Sequence, residues 1–369
     1  MTDAIPLVDL RAQHREIAEE VREGLARVFA EAAFVLGADV RAFEEAFARF
    51  TGAAHCVGVG SGTDALEIAL RATGVRPGDE VIVPANSFVA TALAVVRAGA
   101  APVLVDCDPV YHLIDPARVA ERIGGRTKAI LPVHLYGQMA PMRALGALAA
   151  PRGILVLEDA AQAHGAEQDG VGAGAAGTAA ATSFYPAKNL GAYGDAGAVL
   201  SNDAAIARRA RALRNYGSED KYHHPEMGFN SRLDTLQAVV LQAKLKRLAA
   251  WNAARRTAAA RYDALLADLG AVTPPTTAPG NVHAWHLYVV RVPRRDEVVR
   301  RLAAAGIGAG VHYPTPIHLQ GAFRELGHRR GDFAVAEAAA AEVLSLPLHP
   351  HLTAGEQERV VDALRRALA

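Results

Sequence analysis

The chain has 369 residues, enough to bury a large core and to divide into two domains. It is 51% hydrophobic and 21% charged with a formal net charge of zero, which suits a globular protein and gives no indication of a nucleic-acid or membrane partner. The two cysteines, Cys56 and Cys107, form neither a metal-binding spacing nor a disulfide framework, so we expect a reducing, cytoplasmic location. The first residues lack a signal-peptide pattern, and the apolar runs are shorter than the ~18 residues of a membrane span.

Short strand-like runs alternate with helical segments through the first half of the chain. After an extended arm at 5–10, helices are predicted near 15–30 and 40–50. The predicted strands are 56–59, 81–84, 103–106, 129–133, 154–158 and 198–200. Strands that alternate with helices indicate a mostly parallel sheet with crossover helices.

The second half begins with a polar loop at 216–224 and a long helix from about Asp234 to beyond Trp251. A smaller α/β unit is predicted after this helix. Its elements are a strand at 284–292, a helix at 294–305, a loop at 310–316 and helices at 334–343 and 354–368. We place the domain boundary inside the long helix, which divides the chain into residues 1–245 and 246–369.

The strongest functional pattern lies between residues 154 and 197. An acidic residue, Asp159, follows a buried strand, and such a strand end lies at the ligand-binding edge of an open α/β sheet. Lys188 stands among Ser, Pro and Gly residues, which favours tight backbone over an exposed helix face. A carboxylate, a lysine and a hydroxyl such as that of Ser183 are the groups that pyridoxal phosphate (PLP) needs. Each residue alone is weak evidence, because most lysines are surface charges and a strand-end Asp is often a helix cap.

Two strings strengthen this interpretation, namely EDAAQAHGA at 158–166 and SFYPAKNLG at 183–191. They closely resemble the sugar aminotransferases of the DegT/DnrJ/EryC1/StrS family, and the resemblance extends over essentially the whole chain. It implies an α/β protein with the fold type I of PLP-dependent transferases. In that fold a large domain with a mostly parallel seven-stranded sheet precedes a smaller C-terminal α/β domain. The resemblance also implies that Lys188 forms the Schiff base, that Asp159 pairs with the pyridine nitrogen and that Gln162 contacts the ring hydroxyl.

Phosphate contacts are implied for Gly62, Thr63 and Ser183. The first two residues open a predicted helix, where free N–H groups and the helix dipole favour an anion. An ordinary N-cap explains this turn equally well from the residues alone, and the resemblance favours the phosphate. By the same resemblance Phe88 stacks on the cofactor ring, although an isolated Phe is more often a core residue.

The resemblance assigns the segment around Asn230 to the neighbouring subunit. Asn230 would add a phosphate contact from the partner chain, so the implied active unit is a homodimer with shared sites. The sequence alone favours a turn residue before a helix at this position.

The substrate-side candidates are Tyr185, Arg232, His312 and Tyr313. A histidine in an apolar loop is more often structural, and the match to the family's substrate loop makes the two interpretations of His312 about equal. The resemblance implies a nucleotide-linked keto-sugar as substrate and L-glutamate as amino donor. Residues 163–166 and 312–320 are most similar to members that aminate C3 of thymidine-diphosphate deoxysugars. No metal ligands are predicted.

Several alternatives stay open at this point. The substrate could instead be a 4-keto sugar or a 3-keto sugar linked to uridine diphosphate. Related sugar dehydratases have His at the Schiff-base position and, in one branch, an iron–sulfur cluster; Lys188 and the lack of clustered cysteines argue against both. A regulatory or scaffold protein of the same fold would have no reason to keep the set Asp159, Gln162, Ser183 and Lys188.

Overall fold

The computed structural model describes residues 4–220 and 222–369; Lys221, in the polar loop predicted at 216–224, lies outside the described residues, as do residues 1–3. The α-helices are α1 (Leu10–Glu31), α2 (Ala38–Thr51), α3 (Gly62–Ala72), α4 (Val89–Arg97), α5 (Pro116–Arg122), α6 (Met142–Ala149), α7 (Ala204–Leu213), α8 (Thr235–Leu266), α9 (Arg295–Ala304), α10 (Ala334–Glu342) and α11 (Ala354–Leu368). The strands are β1 (His55–Val59), β2 (Glu80–Pro84), β3 (Ala101–Val105), β4 (Thr127–Ile130), β5 (Leu155–Asp159), β6 (Glu167–Gln168), β7 (Val171–Gly172), β8 (Ala179–Ser183), β9 (Gly197–Ser201), β10 (Asn281–Val282), β11 (Tyr288–Arg291) and β12 (Val343–Leu346).

Seven strands form the central sheet in the order β1-β9-β8-β5-β4-β2-β3. Strand β9 runs antiparallel to both β1 and β8. The remaining neighbours pair in parallel, so the predicted mostly parallel seven-stranded sheet is confirmed. Its strands are apolar and buried, as expected for a parallel sheet covered on both faces.

Small side chains bring helix α3 close to the sheet. The helix packs across β8 and β9, and Ala179 and Ala181 are buried beneath it, whereas Ala180 is buried on the opposite face of the sheet. In β8 the register places Ala181 beside Asp159 of β5. Because these strands are parallel, the residues at their carboxyl ends meet at one edge of the sheet.

A second core lies at the C-terminal end of the chain, where β11 pairs antiparallel with β12 and helices α9 and α11 pack nearby. The N-terminal arm joins this unit, since the Ile5 N–H donates to the Gly306 carbonyl at 2.9 Å and the Gly308 N–H donates to the Ile5 carbonyl at 2.7 Å. Helix α8 contributes to two cores, because Leu241 is buried in a core against the central sheet and Tyr262 is buried in the C-terminal core. The domain boundary at 245/246 falls within this continuous helix and stays a prediction.

The strand predicted at 284–292 is wrong over its first residues, because β11 begins only at Tyr288. The residues before it bond to a turn instead of to a ladder: the Ala284 N–H donates to the Gly137 carbonyl and the Leu287 N–H to the Tyr136 carbonyl. The apolar character that suggested a strand reflects burial alone. Within residues 4–220 and 222–369, none of the helices combines the length and apolarity that crossing a membrane requires.

Candidate active site

A cavity of about 370 Å³ lies at the carboxyl edge of the central sheet. It collects ten of the twelve residues predicted for the site: Gly62, Thr63, Phe88, Asp159, Gln162, Ser183, Tyr185, Lys188, His312 and Tyr313. The cavity wall also includes residues to which the sequence analysis gave no role in the site: Ser61, Ser87, Thr91, Asp195 and His286. The convergence of titratable groups on one concave surface marks it as the candidate active site.

The carboxylate of Asp159 is buried at the end of β5. The Thr91 hydroxyl donates to its Oδ2 at 2.8 Å, and the Ala161 N–H donates to its Oδ1 at 3.2 Å. Burial raises the pKa of Asp159, while these two donors and the charges of Lys188 and His134 act in the opposite direction. A cationic ring nitrogen beside this carboxylate would supply a charge partner that offsets its desolvation.

Lys188 lies half-buried in the wall of the same cavity, in a turn closed by the Lys188 N–H donating to the Tyr185 carbonyl at 2.8 Å. Burial lowers the pKa of Lys188 to about 8, and the negative charge of Asp159 limits the lowering. A substantial fraction of the amine is therefore neutral near physiological pH. A neutral amine is the form that acts as nucleophile and as base.

An anion cradle forms where helix α3 begins beside β8 and β9. The side chain of Ser61 caps the helix by accepting from the Asp64 N–H at 3.1 Å, and the N–H groups of Gly62 and Thr63 have no partner in the described part of the chain. A Cβ at Gly62 would lie 2.5 Å from the Ser183 Cβ, so only glycine lets the two segments approach. A helix N-terminus next to a serine hydroxyl is suited to a phosphate.

Gln162 connects the sheet edge to the loop that carries His312 and Tyr313. Its Oε1 accepts from the Tyr136 N–H at 2.6 Å, which fixes the amide orientation, and its Nε2 donates to the Tyr313 hydroxyl at 2.9 Å. The Tyr136 hydroxyl in turn donates to the His312 carbonyl. The predicted ring contact and the predicted substrate loop thus belong to one hydrogen-bond network.

Aromatic side chains form the more open side of the cavity. Phe88 is 52% exposed, and its ring centroid lies 5.3 Å from that of Tyr313. The exposed face of Phe88 is available to stack on a flat ligand. Nδ1 of His312 lies 2.8 Å from the Ser345 Oγ, and burial lowers the pKa of His312 to about 4, so its imidazole is neutral.

Asn230 and Arg232 lie outside the cavity of their own chain. The backbone of exposed Asn230 pairs with Asn215, whose Oδ1 also accepts from Arg232 Nη1 at 3.2 Å. The Arg232 guanidinium also lies over the ring of Tyr216, 5.6 Å from its centroid. A single chain therefore does not bring these two residues to the site.

The cavity meets the requirements of PLP on three counts. It has a buried carboxylate for the ring nitrogen, a lysine of lowered pKa for the aldehyde carbon, and a cradle that a Cβ at Gly62 would fill. Asp159, Lys188, Ser183 and the start of α3 would hold the cofactor. These residues belong to different elements, and the parallel sheet is what gathers them.

Comparison with known proteins agrees with this description. The sequence profile of the DegT/DnrJ/EryC1/StrS aminotransferase family matches residues 15–365. The chain is 49% identical to the erythromycin biosynthesis sensory transduction protein EryC1 of Saccharopolyspora erythraea, over 98% of this chain and 99% of that protein. It is 46% identical to a dTDP-3-amino-3,4,6-trideoxy-alpha-D-glucose transaminase of Streptomyces venezuelae, over 99% and 96% of the two chains. The crystal structure of S. venezuelae DesV in complex with a ketimine intermediate superposes with a TM-score of 0.97, at 46% identity over 99% of this chain and 98% of that chain.

Proposed function

The chain belongs to the DegT/DnrJ/EryC1/StrS aminotransferase family, and we propose that it aminates a nucleotide-linked 3-keto-6-deoxyhexose, with PLP as cofactor and L-glutamate as amino donor. The proposed nucleotide is thymidine diphosphate. The proposal rests on one observation: Asp159, Lys188 and the anion cradle formed by Gly62 and Ser183 line the same cavity.

PLP, when bound, supplies an electron sink and carries the amino group from donor to acceptor. With PLP bound, Lys188 would serve as the base that takes up and returns a proton at the substrate carbon that bears the nitrogen. Its lowered pKa of about 8 leaves enough neutral amine for this work near neutral pH, and a general base of this kind contributes ~10²–10⁴ in rate. Asp159 would face the ring nitrogen and favour its protonated form, and Thr91 and the Ala161 N–H hold that carboxylate in place.

The remaining residues of the site are assigned to binding and orienting the cofactor and the substrate. Ser183 and the N–H groups of Gly62 and Thr63 would hold the phosphate, Phe88 would cover the ring and Gln162 would contact the ring hydroxyl. On the substrate side we assign Tyr185, His312 and Tyr313 to the sugar nucleotide. The net charge of the protein is zero, so the positive charge that a diphosphate needs must be local, and Arg232 is the candidate.

We assign Arg232 and Asn230 to the site of a neighbouring subunit in a homodimer. Support comes from the surface beside them, where Phe29, Phe34 and Val35 are exposed and Val35 pairs with Asp234. A contiguous exposed apolar patch marks an interaction surface, and a second copy of the chain would cover it.

A regulatory role is a less favoured alternative, although the relative from S. erythraea is named as a sensory transduction protein. The complete cofactor site favours catalysis for this chain. A dehydratase is disfavoured by Lys188, whereas a 4-keto sugar and a uridine-diphosphate 3-keto sugar remain as alternative substrates. The proposed cytoplasmic location rests on the cysteine content; both cysteines are buried and free.

A panel of keto-sugar nucleotides tests the proposal. The PLP-loaded protein and L-glutamate are incubated with the 3-keto and 4-keto 6-deoxyhexoses of thymidine diphosphate and with a 3-keto sugar of uridine diphosphate, and mass spectrometry detects the aminated product. We expect the thymidine-diphosphate 3-keto sugar to react, and we expect Lys188→Ala to form no product. Amination of the 4-keto isomer alone would contradict the proposed position while leaving the reaction class intact.

A further inference from the structure

A buried hydrogen-bond network of amide and imidazole side chains runs from helix α8 to the wall of the cavity. Nδ2 of Asn252 donates to the His164 carbonyl at 2.7 Å. Nδ2 of Asn189 donates both to Asn252 Oδ1 at 3.0 Å and to the Ala284 carbonyl at 2.8 Å. Oδ1 of Asn189 lies 3.2 Å from Nδ1 of His286. The side chains of Asn189, Asn252 and His286 are all more than nine-tenths buried.

Two backbone carbonyls determine the orientation of each side chain in this hydrogen-bond network. A carbonyl oxygen can only accept, so the NH₂ group of Asn252 faces His164 and the NH₂ group of Asn189 faces Ala284. The Asn189 oxygen must then face His286. It follows that His286 carries its proton on Nδ1 and donates it to Asn189.

The other ring nitrogen of His286 therefore bears a lone pair. Nε2 has no hydrogen-bond partner in the described part of the chain, and His286 lines the cavity together with Lys188. Burial lowers the pKa of His286 well below its ordinary value, and the charges of Lys188 and Arg255 lower it further. The imidazole thus stays neutral, and Nε2 accepts a hydrogen bond without taking the proton.

The backbone around His286 is held as firmly as its ring. Nη1 of buried Arg255, one turn after Asn252 on α8, donates to the Trp285 carbonyl at 3.2 Å and to the Leu348 carbonyl at 2.8 Å. Helix α8 therefore fixes both the position and the tautomer of His286. A side chain placed with this much support is pre-organised for a contact with a ligand.

We propose that His286 is a specificity-determining residue whose Nε2 accepts a hydrogen bond from a hydroxyl of the bound sugar. The inference rests on the proposed function and names one contact within it. A carboxylate or phosphate offers only acceptors, and two acceptors facing each other in a buried site repel. His286 is accordingly assigned to the sugar hydroxyls and not to the diphosphate or the carboxylates of glutamate, and the glutamate half-reaction tests the amino group of glutamate separately.

Equilibrium binding to the PLP-loaded enzyme isolates this contact. Two probes are titrated calorimetrically: thymidine diphosphate alone, and thymidine-diphosphate-6-deoxyglucose, which has sugar hydroxyls but no keto group to react. His286→Phe removes the acceptor, and His286→Gln keeps an amide oxygen in its place. His349→Phe is the matched control, because His349 is a buried histidine outside the cavity whose ring nitrogens have no hydrogen-bond partner among the described residues.

We expect His286→Phe to raise the Kd of the sugar nucleotide about 5- to 10-fold and to leave the Kd of thymidine diphosphate within about twofold. His286→Gln should fall between His286→Phe and the parent, and His349→Phe should match the parent. Spectroscopy of the glutamate half-reaction, without sugar, should give parental rates for both His286 variants.

Three results would overturn the inference alone: parental Kd values for both probes in His286→Phe, equal weakening of both probes, or a slowed glutamate half-reaction in both His286 variants. The last result would make His286 a partner of Lys188. Failure of the parent enzyme to bind either probe would overturn the proposed nucleotide-sugar function, and with it the inference that depends on it.

Discussion

The hydroxyl of Thr91 donates a 2.8 Å hydrogen bond to Oδ2 of Asp159, which joins the first turn of α4 to the end of β5. Both side chains are buried, and Ser87 Oγ lies 2.7 Å from Thr91 Oγ1. Burial of Asp159 favours the protonated carboxyl, and the Thr91 donor opposes it. The Thr91 hydroxyl thus helps keep ionised the carboxylate that the proposed chemistry requires.

Thr91→Val removes this donor at nearly constant volume. The pKa of Asp159 should rise further, so the acid limb of the kcat–pH profile should move to higher pH, and kcat on that limb should fall about tenfold. Thr91→Ser retains the hydroxyl and should keep the parental profile. A uniform loss of activity at every pH would point to a packing defect instead.

Asp159→Asn should stabilise the cofactor-free protein at neutral pH. The folded-state pKa of Asp159 is raised, so the folded chain binds more protons than the unfolded chain between the ordinary pKa and the raised one. The free energy of unfolding of the parent therefore falls as pH rises through that window. Asp159→Asn has no carboxyl to titrate at this position, so the variant avoids this loss of stability. The Tm of the cofactor-free variant should exceed that of the parent at pH 7 and approach it at acidic pH.

The same variant should lose function in the PLP-loaded form. An uncharged amide leaves the ring nitrogen unprotonated, so turnover should fall at least about 100-fold while cofactor content changes far less. Near-parental turnover would reduce Asp159 to a structural role at the strand end.

Covalent attachment of PLP to the cofactor-free protein should depend on pH through Lys188. Only the neutral amine attacks an aldehyde, so the attachment rate should rise with pH to a plateau, with a midpoint of about 8. Asp159 raises the pKa of Lys188, and Asp159→Asn should therefore move the midpoint to lower pH. Borohydride reduction and peptide mapping should place the cofactor on Lys188, and recovery of the label on Lys128 would contradict the assignment.

Mixed dimers test whether Asn230 and Arg232 act across a subunit interface. A Lys188→Ala chain is combined with a chain that carries Asn230→Ala and Arg232→Ala, each inactive or impaired alone. If the residues serve the neighbouring site, a mixed dimer has one site with every defect and one site with none, so activity should rise on mixing. If heterodimers form but activity does not rise, Asn230 and Arg232 act within their own chain.

The sequence predicted the sheet and most of the cavity because both depend on local patterns. Apolar runs separated by helices indicate parallel strands, and Asp159 and Ser183 end neighbouring strands, so their proximity follows from the topology. Thr91 was missed because a threonine in an apolar helix gives no local sign of the carboxylate it bonds, which stands 68 positions away.

His286 was missed for a different reason. Its neighbours are apolar and continue into β11, so the pattern predicted one uninterrupted strand, whereas backbone bonds to the turn at 136–137 hold residues 284–287 out of the ladder. The tautomer of His286 depends on Asn189 and Asn252, and only the folded chain places these two amides together. The proposed contacts of Asn230 and Arg232 with a neighbouring subunit likewise do not follow from the sequence pattern of one chain.

The fate of the glutamate nitrogen shows whether the enzyme transfers an amino group to C3 of a sugar nucleotide. The PLP-loaded enzyme is given nitrogen-15-labelled L-glutamate and the 3-keto-6-deoxyhexose of thymidine diphosphate, and the product is examined by mass spectrometry and by carbon–nitrogen coupling in its NMR spectrum. We expect a sugar nucleotide with the label bonded to C3, formed together with 2-oxoglutarate and not formed by Lys188→Ala. Recovery of unaminated sugar nucleotide from a protein shown to carry PLP on Lys188 would contradict this expectation.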